Sequence, residues 1–110
     1  MEKRNFILMI DTTQFEEAKI GLKTVRNRVV GEKKFAAGRK LSEKLLPEID
    51  KLLKKNNLKP QDLVEIKVNP RAGSFTGTRI GVAVANALGF SLRIPVNDKE
   101  IVVPVYSSTL

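Results

Sequence analysis

The hydrophobic residues change period as the chain is read, and the order of those changes limits the folds it can reach. Phe6 to Ile10 is a short apolar run, and Glu17 to Lys23 alternates with Ala18, Ile20 and Leu22 on one side. A less regular third segment covers Val25 to Val30, before Gly31-Glu32-Lys33-Lys34. Short apolar or alternating runs bounded by turn residues mark strands. From Ala36 to Asn56 the spacing becomes helical, with Leu41, Leu45, Leu46, Ile49, Leu52 and Leu53 in step. Val64 to Val68 then reads as a buried strand, Ser74 to Gly89 as a second helix and Leu92 to Val96 as a strand. Asn97 to Glu100 forms a turn into a last strand, Ile101 to Tyr106, with Pro104 marking an edge. The expected order is βββαβαβ with a short β tail. A meander followed by helix-linked strands implies an α/β fold: a mixed five-stranded sheet with helices packed on it, its last strands parallel and joined by right-handed crossovers.

Local chemistry agrees with these boundaries. Asp11-Thr12-Thr13 closes the first strand with residues that turn and hydrogen-bond the backbone. Pro47 interrupts the long helix, yet the apolar pattern continues on both sides, so a bend is expected rather than a stop. With 110 residues the chain makes one domain, and that length suffices to bury a core without a covalent staple. It has no cysteine and no histidine, which excludes disulfides, thiolate metal sites, His-based triads and the commonest metal ligand. The twelve acids are scattered, so no enzyme chemistry, cofactor or metal is assigned to it. Met1 to Asn5 leads into an apolar run too short for a signal segment, and a cytoplasmic location without membrane insertion is expected.

Ala72 to Gly81 gathers three glycines and three hydroxyl residues around Arg79 where a strand gives way to a helix. Ser74 or Thr76 can cap that helix. Two readings compete. In one, backbone N–H groups and the positive helix end hold an anion, with Arg71 and Arg79 as possible contacts. The Walker and Rossmann spacings are both absent. In the other, Gly77, Gly81 and Ala85, each four residues apart, give a face of almost no volume against which another backbone can press. The packing reading has the better physical footing.

The net charge of +8 is unevenly placed: Lys23 to Lys59 holds twelve bases and four acids, and the rest sums to zero. Such clustering is either a nucleic-acid footprint or a solvated face, and an interleaved aromatic would favour the first. Within that window the only aromatic is Phe35.

Three segments carry a family resemblance. Phe6-Ile7-Leu8-Met9-Ile10-Asp11-Thr12-Thr13, Leu41-Ser42-Glu43-Lys44-Leu45-Leu46-Pro47-Glu48-Ile49-Asp50 and Gly73-Ser74-Phe75-Thr76-Gly77-Thr78-Arg79-Ile80-Gly81 resemble the opening strand, first helix and glycine-rich signature of the TsaB family, with Ile94-Pro95-Val96 resembling the strand behind it. The similarity spans about residues 5 to 97, corresponding to the N-terminal lobe alone, with residues 98–110 as an unassigned tail. Leucine replaces the family's usual histidine at Leu41, and Asn69-Pro70-Arg71-Ala72 replaces its Gly-x-Gly-Pro lead-in. The implied fold is a ribonuclease-H-like half-domain, the unit repeated in actin-like ATPases.

The resemblance also implies a function: a non-catalytic scaffold in formation of threonylcarbamoyladenosine on tRNA. It would pair with a TsaD-type transferase through a bundle of its two helices, with a TsaE-type ATPase joining. The long helix offers two stripes, Leu41, Leu45 and Leu52 beside Leu46, Ile49 and Leu53, so that one can meet the sheet and the other a partner. The expected interface is Leu41, Leu45, Ile49, Gly77, Thr78, Gly81, Val82 and Ala85, the face also expected to form a homodimer in isolation. TsaD-like proteins carry a metal-binding histidine motif that a chain without histidine lacks. Asp11 and Thr12 occupy the place where actin-like enzymes meet metal and phosphate. A tRNA contact through the basic region is a further expectation. The rival reading is a stand-alone basic nucleic-acid-binding domain on the same scaffold, and a nuclease of that fold would need several carboxylates converging on metal ions.

Overall fold

The computed structural model describes residues 5–71 and 75–99. Three antiparallel strands, β1 (Phe6–Asp11), β2 (Glu17–Thr24) and β3 (Val29–Ala36), form the opening meander. Helix α1 (Leu41–Lys55) crosses to β4 (Leu63–Val68), which pairs in parallel with β1, and α2 (Phe75–Leu92) follows. The sheet order is β3-β2-β1-β4. Leu8, Ile10, Ala18, Ile20, Leu22, Phe35, Ile66 and Val68 form one buried cluster with residues of both helices, so α1 and α2 cover the same face of the sheet.

The expected fifth strand shrinks to a single bridge. Val96 pairs in parallel with Ile66, on the far side of β4 from β1, but Leu92 belongs to α2 and only Val96 is in register. Three causes are local. Arg93 has a φ of 60° and ends α2 in a left-handed cap, with Ile94 N–H donating to Gly89 O and Arg93 N–H to Phe90 O. Pro95 then has no N–H to give a ladder. Asn97 and Asp98 both have positive φ and reverse the chain in two residues, Val96 and Lys99 exchanging backbone bonds across them. The expected tail strand Ile101 to Tyr106 lies outside the described residues, as does Ser74, one of the two expected caps.

Other boundaries move as well. The third strand is Val29–Ala36, not Val25 to Val30: Thr24 Oγ accepts from the N–H groups of Arg26 and Arg28, and Asn27 turns with a φ of 69°. Gly31 to Lys34, read as a break, is strand. Ala36 therefore ends β3 rather than starting α1, and a 3-10 turn at Gly38–Lys40 leads in. α1 runs unbroken through Pro47 and closes at Asn57, φ 58°, with Leu58 N–H donating to Leu53 O. α2 continues past Gly89 to Leu92 because Gly89 lies in the interior. A Cβ there would come within 2.5 Å of Val96 Cγ2.

Candidate partner-binding site

The small-residue line of α2 is a device for packing on the chain's own sheet. Thr12, just past β1, is fully buried and donates its hydroxyl to Gly77 O at 2.7 Å. A Cβ on Gly81 would sit 2.2 Å from Thr12 Oγ1. Thr78 Oγ1 donates to Arg71 O at 2.9 Å, fastening the helix to the segment that leads into it. Gly77, Gly81, Ala85 and Gly89 are all buried, and their line runs from the end of β1 to Val96. The packing reading of the glycine run thus describes the observed geometry.

All eight residues expected at a partner interface lie inside the chain. Leu41, Leu45, Ile49, Thr78, Val82 and Ala85 are buried in the core, and so are Gly77 and Gly81. Ile49 and Leu53, which share the second apolar stripe of α1 with Leu46, face inward with Leu52; of that stripe only Leu46 emerges, 49% exposed. The physical reason is that α1 rests on the sheet and on α2 at once, so an inward arc wide enough for five buried positions replaces the two separate stripes.

The surface the helix pair does offer lies one position round. Leu46 of α1 and Ala83, Val84, Ala87 and Leu88 of α2 line an apolar groove of about 260 Å³. Ala83 and Ala87 are exposed, Val84 and Leu88 half-buried, and Phe90 is 86% exposed at the end of the same helix. The sequence carried a signal for this: from Phe75 to Leu92, α2 has one charged residue, Arg79, and is apolar all round. One side of such a helix meets the sheet, and the other needs cover of its own.

A second concavity, about 290 Å³, opens on the sheet face away from the helices, with Met9 and Gly21 as floor and Asp11, Asn69, Lys19 and Lys67 among its walls. Asp11 Oδ1 accepts from the Thr13 hydroxyl at 2.6 Å and the Thr13 N–H at 3.0 Å, and Oδ2 accepts from Asn69 Nδ2 at 3.2 Å. Burial acts to raise this carboxyl, but those bonds and the charge of Lys19 outweigh it and hold it below its ordinary value. Asp11 is therefore committed to the turn that ends β1. Arg71 and Arg79 are both exposed. Glu65, the other strand acid, is placed beside Asp98 rather than Asp11: burial and the Asp98 carboxyl raise it, and the Asp98 N–H donates to its Oε2 at 3.1 Å. Among the described residues no three acids converge as a metal-dependent nuclease would require.

The family described as TsaD, tRNA N6-adenosine threonylcarbamoyltransferase, matches residues 27–98, well over half of the chain. The chain belongs to this family. Within it the chain is TsaB-like. It is 36% identical over 92 residues to the tRNA threonylcarbamoyladenosine biosynthesis protein TsaB of Bacillus subtilis (strain 168), a match over 83% of this chain and 39% of that protein. With TsaB of Buchnera aphidicola subsp. Schizaphis graminum it is 38% identical over 53 residues, 48% of this chain and 25% of the other. Among solved structures, YeaZ from Pseudomonas aeruginosa superposes with a TM-score of 0.75 at 27% identity, over 84% of this chain and 42% of that one. The TsaB-like chain thus spans about two fifths of the length of its Bacillus relative. Among its described residues no helix is long and apolar enough to cross a membrane.

Proposed function

We propose that this chain is a non-catalytic subunit supporting threonylcarbamoyladenosine formation on tRNA, and that it binds a TsaD-type transferase through the outer face of its α1–α2 pair. The observation that carries this reading is the groove of Leu46, Ala83, Val84, Ala87 and Leu88, an apolar surface on a helix pair whose inward sides are already packed in the core. A bundle formed there would cover what the monomer leaves open, and a second copy using the same face would give a homodimer in isolation. Relatives carry the name of this biosynthesis, which supplies the pathway. The lack of histidine supports placing the chemistry, with any histidine-bound metal, on the partner. A TsaE-type ATPase would complete the assembly, in the cytoplasm where tRNA is modified.

The test uses substitutions at exposed positions, since an arginine at Ala85 would strike the core. Leu46→Arg and Ala87→Arg each place a charge in the groove while leaving the monomer's interior intact. Mixed with the TsaD-type protein of the same genome and followed by light scattering during gel filtration, the unaltered chain should form a defined complex and both variants should elute alone. A complex that survives both substitutions would refute the groove as the docking surface. No complex from the unaltered chain would favour the rival reading, a stand-alone nucleic-acid-binding domain.

A further inference from the structure

Four of the chain's twenty basic residues line one flank of α1. Lys44, Lys51 and Lys55 stand at i, i+7 and i+11, so at 100° per residue they share one line along the helix. Lys40 continues that line at the helix start. This flank lies over β3, away from the apolar groove: Lys33 of β3 pairs with Glu48, and Lys44 Nζ donates to Ala36 O at 2.9 Å. The column's one acid is thereby neutralised, and Lys44 and Lys51 also act electrostatically on Glu48. Asp50, elsewhere on α1, is paired with Lys54 at 3.0 Å. Lys40, Lys51 and Lys55 remain exposed, on a helix whose rise of about 1.5 Å per residue spreads the column over roughly 22 Å.

An aromatic stands near one end of the column. Phe35, the aromatic within the basic window, is buried in the core. Phe15 comes instead from the β1–β2 loop: its carbonyl accepts from Gly38 N–H at 3.0 Å, which sets it against the turn that carries Arg39 and Lys40, and it is 54% exposed. A row of flexible ammonium groups ending at an exposed ring has the parts of a surface that tracks a phosphate backbone and stacks an unpaired base.

We propose that this column, Lys40, Lys44, Lys51 and Lys55 with Phe15 at its head, is an RNA-binding surface separate from the groove between the helices. The proposed role in tRNA modification enters only in choosing RNA as the polyanion. An acidic protein would be expected to meet a surface with shape of its own, whereas this one is a regular line of point charges on long stems, suited to sequence-independent backbone contact.

Unmodified tRNA transcript is titrated with the chain at 50 and 200 mM salt and followed by fluorescence anisotropy. Four phosphate contacts predict a loss of affinity on the order of fifty-fold between those salts. The variant Lys40→Gln/Lys51→Gln/Lys55→Gln spares Lys44, which holds the Ala36 carbonyl, and should flatten the log–log salt slope by about two to three. The matching Lys→Arg variant should restore it, and Phe15→Ala should weaken binding about fivefold or more. Circular dichroism checks that each variant is folded. Leu46→Arg, which disables only the groove, should bind tRNA normally, so a failed transferase contact does not read as a failed RNA contact. Salt-insensitive binding, a triple Gln variant that binds as before, or equal binding of polyglutamate would each overturn the proposal.

Discussion

At the scale of single residues, the tightest constraint is the contact between Gly81 and Thr12. A methyl group at 81 has no room, because the atom it meets is a buried hydroxyl already bonded to Gly77 O. Gly81→Ala should destabilise the chain by about 1–3 kcal/mol, the usual cost of overpacking. Urea unfolding would show this as a lower midpoint at unchanged slope, and an unchanged midpoint would mean that α2 can shift away from β1 without cost. Asp11 makes a separate prediction. Its carboxyl is held below 3.8 in the fold, so its stabilisation is complete above that ordinary value and is lost as pH falls through the lowered one. The stability gap between the unaltered chain and Asp11→Asn should be widest near neutrality and close in acid. Glu48, also lowered, by its hydrogen bond to Lys33 first, shares that sign; Glu65, raised by burial and Asp98, has the opposite one and favours the fold more below pH 4.5 than above it.

At the scale of elements, α1 carries a defect that its surroundings hold in place. Pro47 has no N–H to give the Glu43 carbonyl, yet Leu45, Ile49, Leu52 and Leu53 are buried on both sides of it, so packing holds a helix that local propensity would interrupt. Pro47→Ala should stabilise the chain by about 1–3 kcal/mol, which for a domain of this size raises the melting temperature by several degrees. A lower melting temperature would show that the proline's shape is itself packed. The elements most legible in the sequence were those whose burial is one-sided and regular: β2 shows alternate apolar residues, and α1 keeps its period through the proline. β3 was misplaced because it is an edge strand held by backbone pairing to β2. Only Phe35 within it is buried, and the lysines and Glu32 that suit an edge read as a loop. The residues expected at the interface are buried in the monomer for a related reason. Sequence periodicity shows which positions are apolar, but α1 and α2 are apolar on more than one side, and only the packed structure tells which side the core takes.

At the scale of the whole molecule, the chain has two faces of different chemistry on either side of α1: an apolar groove toward α2 and a lysine column over β3. The sheet beneath has β1 at its centre, paired with β2 on one side and β4 on the other. That arrangement has a consequence for how the protein is made. β1 is made before β4, and its second edge waits for Leu63 to Val68, more than fifty residues later. The β1–β2–β3 meander can form early from neighbouring pairs, whereas the parallel pairing closes a long loop and should come late. In refolding followed by pulsed hydrogen exchange, amides bonded within the meander should gain protection before those bonded between β1 and β4, and simultaneous protection would contradict this order. Until β4 arrives, a nascent chain carries Phe6 to Ile10 with one side of its backbone unpaired and apolar, a stretch open to adhesion with its neighbours. Released chains that end before residue 63 should therefore aggregate, where chains that extend through β4 and α2 should not.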